Sequence, residues 1–136
     1  GLDQGFTTEF DLPGTRDPSA HLAAPAAIRM MEELGGPVVR KYTHALAWDG
    51  ARLLAERWGT EFVTPESMIG TMATVPLPAS MGSTADDATR VRHRLLVEEQ
   101  IEVQVHAFRD RLHARISAEI YNQLDGIERL AVAVLR

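Results

Sequence analysis

Two short stretches carry residue types suited to holding anions, one near each end of the chain. Gly14-Thr15-Arg16-Asp17 is a polar turn that leads directly into an apolar run starting at Ser19. A phosphate is well bound where small residues let backbone N–H groups approach, a hydroxyl donates, and a helix begins. Gly14 and Thr15 supply the small residue and the hydroxyl. An ordinary Asx-type turn before a helix accounts for the same residues. The second stretch is Arg115-Ile116-Ser117-Ala118-Glu119-Ile120-Tyr121-Asn122. An arginine leaving a strand can grip a carboxylate, because its planar fork makes two parallel charge-assisted hydrogen bonds. An exposed strand-end arginine, or one paired with Glu119, is the competing reading.

Other chemistries are poorly served. His21 lies near the first turn, His44 in a helical stretch, His93 within the basic run Arg90 to Arg94, and His106 and His113 on a hairpin. None is paired at i,i+4 on a helix with a carboxylate partner, so no metal site is expected. The basic run reads as a solvated helix face, and Trp48 and Trp58 read as packing residues. No cysteine is present, which excludes disulfides, thiolate metal sites and a cysteine nucleophile within this stretch. Lys41 is the single lysine, against thirteen arginines.

Composition bounds the class. A chain of 136 residues, 45% hydrophobic and 24% charged, makes one globular domain, or one domain with a trailing piece of another. The net charge of −5 weighs against nucleic acid as a partner. No apolar run approaches the roughly 18 residues that span a bilayer, and no basic-then-apolar leader is seen. A cytoplasmic protein without membrane attachment is expected. The first residue is Gly1 rather than Met, so a piece of a longer protein is expected as well.

The elements that must position these residues follow from periodicity and breakers. Residues 1–18 read as an irregular arm. Ser19 is a candidate N-cap for a helix that Gly35-Gly36 stops, and this helix is apolar nearly all round, a pattern that predicts burial on several sides. Pro25 implies either a later start near Ala23 or a kink. A second helix is predicted over about 38–58 with Val39, Tyr42, Leu46, Leu53 and Leu54 on its apolar stripe. A strand follows over 68–76, then a helix from the capping box Thr84-Ala-Asp-Asp87 to about Glu99. Strands over 102–108 and 112–116, joined by the turn Arg109-Asp110-Arg111, predict a hairpin. Asn122 or Asp125 caps a last helix to Leu135. Separate helical and strand runs predict a two-layer α+β domain with its helices on one sheet face.

The two anion-binding stretches also carry a family resemblance. GTRDPSAHLAAPAAIRMMEELG, and RISAEIYN followed by Ile127-Glu128-Arg129-Leu130, resemble the isopenicillin N epimerase branch of the class V aminotransferases. These are fold type I enzymes that use pyridoxal phosphate (PLP). The resemblance runs from about residue 6 to the C-terminus and is weakest between 60 and 105. It implies that residues 1–36 are the tail of a large PLP-binding domain and residues 37–136 the small C-terminal domain. It also implies that Gly14 and Thr15 contact the cofactor phosphate of a partner subunit in a homodimer. Arg115 then binds the α-carboxylate of an amino-acid or peptide-like substrate, with Ser117, Tyr121 and Asn122 in support. The lysine that carries the cofactor falls outside this stretch, so no catalytic residue and no bound PLP are expected here. The parent reaction implied is epimerisation at an α-carbon. A C–S lyase or aminotransferase of the same superfamily is the alternative, and a non-catalytic ligand-binding or interaction module is the rival from another class. Desulfurase branches place a nucleophilic cysteine after this arginine; here Ser-Ala-Glu-Ile-Tyr stands instead, which excludes a persulfide mechanism for this part.

Overall fold

The computed structural model describes Phe6, Gly14, Thr15 and residues 17–136, so most of the expected N-terminal arm lies outside the described residues. The chain divides into two compact units, Gly1–Gly36 and Pro37–Arg136. The first unit carries helix α1 (Ser19–Glu33), which runs unbroken through Pro25. Its start differs from the sequence expectation. Asp17, not Ser19, does the capping: its carboxylate accepts the Ser19 backbone N–H at 2.9 Å and the Ser19 hydroxyl at 2.5 Å. Gly35, at φ +74°, ends the helix as expected, because a left-handed residue there is cheapest without a Cβ. None of the residues of α1 is buried, contrary to the expectation from its apolar composition. Leu22 is 75% and Ile28 59% exposed.

The second unit contains helix α2 (Gly36–Trp58), strand β1 (Met72–Pro76), helix α3 (Ala85–Val97), strands β2 (Gln104–Phe108) and β3 (Arg111–Ser117), and helix α4 (Leu124–Val134). The strands form one antiparallel sheet in the order β1-β3-β2. This is the α+β, two-layer arrangement expected. Strand alternation splits the sheet cleanly. Ala73, Val75, Val105, Leu112, Ala114 and Ile116 face the helices and join Leu54, Trp58, Val91, Leu95, Leu130 and Val134 in one apolar core. The other face is open.

Helix α2 reaches that core through small residues. Ala47, Ala51 and Ala55 are buried with Leu54 and Trp58, and the Trp58 indole N–H donates to the Ala131 carbonyl at 3.2 Å. Thr43 is buried too, its hydroxyl satisfied within the helix by the Val39 carbonyl at 3.0 Å. A Cβ on Gly50 would meet the Ile127 side chain, so glycine lets α2 and α4 approach closely. The stripe expected from large residues was therefore incomplete: Tyr42 is exposed, and the alanines and Gly50 make the contact face. The helix ends in a Schellman motif, with Gly59 at φ +63° and the Thr60 N–H bonded to the Ala55 carbonyl at 2.9 Å.

Strand β1 starts later than expected, at Met72, because Glu66–Met68 forms a single 3-10 turn and Gly70 stays outside the sheet. The basic run on α3 is not wholly solvated. Arg94 is half-buried and donates to the Ala133 and Val134 carbonyls, closing the C-terminal end of α4. Glu99, unfavourable at a helix C-terminus, is held by an ion pair with Arg136 at 3.2 Å, and its carbonyl accepts from Arg129.

The capping box at α3 forms as expected. The Asp87 N–H donates to Thr84 Oγ1 at 3.1 Å, while the Asp87 carboxylate accepts from the Thr84 N–H at 3.0 Å. These donors, the Thr84 backbone N–H first among them, hold the Asp87 carboxyl down at about 2. Thr84→Ala is expected to destabilise the fold by about 1 kcal/mol. Thermal denaturation should register this as a fall in Tm of roughly 4–8 °C for a unit of this size.

Candidate functional site

Arg115 stands on the middle strand of the open face. Register places Thr74 of β1 on one side of it and Gln104 of β2 on the other. Because β3 is paired on both sides, its backbone is anchored there, and the alternation that buries Ala114 and Ile116 forces Arg115 outward. Among the described residues its guanidinium takes part in no hydrogen bond or ion pair. The alternative pairing with Glu119 is not made: the Glu119 carboxylate accepts the Ile120 N–H instead, at 3.3 Å. Strand residues on this face are Met72, Thr74 and Pro76, then Arg111, His113, Arg115 and Ser117, then Gln104, His106 and Phe108. None of these is acidic, so the face presents donors and positive charge.

The strand exit beyond Arg115 is tied to the core. Ala118 N–H bonds to the Thr71 carbonyl at 2.7 Å, extending the β1–β3 ladder by one step. The Glu119 N–H donates to Asn122 Oδ1 at 2.8 Å, and the Tyr42 hydroxyl donates to the Asn122 carbonyl at 2.6 Å. Asn122 thus spends its polar atoms on closing the turn, whereas Tyr121 is 79% exposed. A cleft of about 460 Å³ opens at this end, lined by Glu102, Ser117, Tyr121, Asn122 and Asp125 over Ile127 and Leu130. Ser117 joins both the cleft and the open face; Arg115 does not line the cleft.

One register row from Arg115, toward the hairpin turn, His106 and His113 face each other across β2 and β3. Their rings stack 6.1 Å apart at 20°, and Phe108 sits edge-on to His113 at 6.0 Å. His113 Nδ1 lies 3.2 Å from the Arg111 carbonyl, so Nδ1 carries the proton and donates. Partial burial lowers the His113 pKa below its ordinary 6.5; the bond to Arg111 opposes this, and the neighbouring His106 and Arg111 reinforce it. Sequence reading placed both histidines on a hairpin without pairing them. The signal was available in the turn: Arg109 and Asp110, both at positive φ, form a two-residue connection, and counting outward from it pairs His106 with His113 and Gln104 with Arg115.

The N-terminal turn belongs to the first unit. Gly14 adopts φ +85° with no atom near the position of a missing Cβ, and Thr15 is exposed. A left-handed glycine beside an accessible hydroxyl fits a phosphate group in chemistry and in room. The first helical N–H is already taken by Asp17, so a phosphate here would rely on the Gly14-Thr15 backbone and hydroxyl. Lys41 is exposed on α2. Among the described residues no group of three or more His, Asp or Glu is placed to hold a metal ion, and no helix is long and apolar enough to cross a membrane.

The fold and the open face define a small α+β domain that presents an unpaired arginine from its central strand. Comparison with known proteins gives the family. No family model matches the chain. It is 35% identical over 127 residues to isopenicillin N epimerase of Streptomyces clavuligerus, covering 92% of this chain and 31% of that protein. A rice (Oryza sativa subsp. japonica) protein provisionally named L-cysteine desulfhydrase 1 is 31% identical over 149 residues, covering 96% of this chain and 31% of the relative. The Arabidopsis thaliana protein named "Probable L-cysteine desulfhydrase, chloroplastic" is 29% identical over 142 residues, covering 96% and 30%. The chain therefore belongs to the class V aminotransferase-like PLP enzymes, of which it is a C-terminal portion. It spans about 30% of the length of the curated relatives it matches.

The lowered His113 pKa carries a stability consequence. The unfolded chain binds a proton more readily than the folded one, so the contribution is complete above pH 6.5 and is lost as pH falls through the folded value. Urea denaturation between pH 7.5 and 5, above the carboxylate range, should show stability declining with acid. His113→Gln should flatten that decline, and an equally steep slope in the variant would contradict the assignment.

Proposed function

We propose that this chain is the substrate-gripping part of a PLP-dependent enzyme acting at the α-carbon of an amino acid or amino-acid-derived peptide. The observation that carries this is the Arg115 guanidinium, unpaired among the described residues and held between Thr74 and Gln104 on a face whose strand residues include no carboxylate. In this reading residues 1–36 are the tail of the large domain and residues 37–136 the small domain. PLP, held elsewhere in the complete protein, supplies the electron sink that acidifies the α-carbon. Arg115 binds the substrate carboxylate in a bidentate pair, fixing which α-carbon bond is presented for reaction. Thr74 and Gln104 flank that pair and offer hydrogen bonds to its outer edges. Gly14 and Thr15 contact the cofactor phosphate, and the family resemblance assigns that phosphate to a partner subunit, hence a homodimer. The chain itself contributes binding and orientation, not a proton-transfer residue at the α-carbon.

Epimerisation is the lead reading, supported by the 35% identity to isopenicillin N epimerase. C–S lysis is the second, supported by the desulfhydrase names of the plant relatives. The two separate simply: an epimerase exchanges the α-proton with deuterated water and leaves the side chain intact, whereas a C–S lyase releases sulfide from L-cysteine. A cytoplasmic setting is proposed for the parent, with the plastid of the Arabidopsis relative as the competing location.

In the complete enzyme, Arg115→Ala should lower kcat/KM by about 100-fold, the scale of losing a bidentate charge-assisted pair. Most of the loss should lie in KM, with the cofactor's absorbance retained. Arg115→Lys should restore little, because an ammonium cannot reproduce the fork. Kinetics unchanged in Arg115→Ala would contradict the role. Thr15→Ala should speed loss of PLP on dialysis, and an unaltered rate would remove Thr15 from the phosphate site.

A further inference from the structure

The cleft at the exit of β3 holds chemistry that the Arg115 reading leaves unused. Its volume of about 460 Å³ falls within the range of small-molecule sites. The buried Ile116 and Leu130, with the half-buried Ile101, Val103 and Ile127, make an aliphatic floor. The rim differs in kind. Glu102 enters from the segment before β2, Tyr121 from the turn after β3, and Asp125 from the first turn of α4. Among the described residues lining the cleft, none is a lysine, arginine or histidine. The Glu102 carboxylate has no hydrogen bond or ion pair among the described residues. Asp125 accepts the Gly126 N–H through Oδ1 at 2.7 Å, which leaves Oδ2 open. The start of α4, whose N-cap Gln123 makes no side-chain bond, adds about half a positive charge, and the Asp125 carboxylate outweighs it.

Gly126 keeps the cleft open. It is the third residue of α4, where glycine is a poor helix former, and its φ is not positive. A Cβ there would meet nothing within 4 Å, so packing does not demand a glycine either.

We propose that this cleft binds a small organic ammonium ion with an apolar body, of the aryl-alkyl amine class. The apolar body covers the aliphatic floor, and the ammonium, with three donors, meets Glu102 and Asp125 at the rim. The Tyr121 ring, 79% exposed, is free to turn its face to the same charge. Other ligand classes fit less well. A neutral apolar molecule would strip water from the two carboxylates without replacing their hydrogen bonds. An anion would meet two like charges. A divalent cation finds no group of three ligating side chains among the described residues, and it would leave the floor unused. Arg115 does not line the cleft, so this site stands or falls apart from the carboxylate reading.

An NMR titration of the 136-residue chain at pH 7 with phenethylamine and with the neutral phenethyl alcohol tests the site. The amine should bind about tenfold more tightly, the scale of two exposed charge pairs. Its shifts should centre on Ser117, Tyr121, Gly126, Ile127 and Leu130. Glu102→Gln combined with Asp125→Asn should bring the two affinities close together while that for the alcohol stays unchanged. The asparagine keeps an oxygen for the Gly126 N–H. Gly126→Leu places a side chain in the room beside the rim and should weaken both ligands. Retention of the amide spectrum in each variant separates lost binding from unfolding. No saturable shift with the amine, equal affinity for amine and alcohol, or a full amine preference in the double variant would each overturn the proposal. Undiminished binding of both ligands to Gly126→Leu would place them outside the cleft and overturn it as well.

Discussion

The alternation of strand β3 is the constraint on which the rest depends. Leu112 and Ala114 are fully buried and Ile116 nearly so, and the strand is hydrogen-bonded on both edges. A slip of one residue would turn all three into solvent and drive Arg111, His113 and Arg115 into the core. Burying those charges unpaired costs far more than any rearrangement of the open face could return. The register is thus set by the dry side, and the wet side inherits it. Arg115 faces outward between Thr74 and Gln104 because Ala114 and Ile116 must face inward.

Close packing beneath the sheet gives that strand a firm floor. Ala47, Gly50, Ala51 and Ala55 let helix α2 approach the sheet and α4 closely, with Leu54 and Trp58 filling the deeper space. At the strand exit, Tyr42 of the same helix bonds to the Asn122 carbonyl, and Asn122 closes the turn from Glu119. The conserving of polar atoms for structure at Asn122 explains why that residue serves support while Arg115 remains free. Position is supplied by elements already buried, and binding capacity is left to side chains that nothing else occupies.

Much of this was legible in the residues. The Thr84–Asp87 capping box, the glycine stop at Gly35 and the α+β order each follow from local chemistry, and the structure carries all three. Arg115 could be singled out by type and by family resemblance. What escaped depended on non-local geometry or on a single residue of turn length. Reading the hairpin connection as three residues, 109–111, shifts the pairing and separates His106 from His113; the two-residue turn brings them together. The helix faces were misjudged where small residues make contact, since alanine and glycine give a weak apolar signal in a periodic pattern. Helix α1 was expected to be buried, yet it is exposed throughout, because nothing in composition states which surface will cover an apolar helix.

The central claim is that the open face around Arg115 holds the substrate carboxylate. A crystal structure of the complete enzyme with an amino-acid substrate or inhibitor bound tests it most directly. The account predicts a carboxylate in bidentate contact with the Arg115 guanidinium, between Thr74 and Gln104. A ligand whose carboxylate is held by other residues, with Arg115 left in solvent, would contradict it.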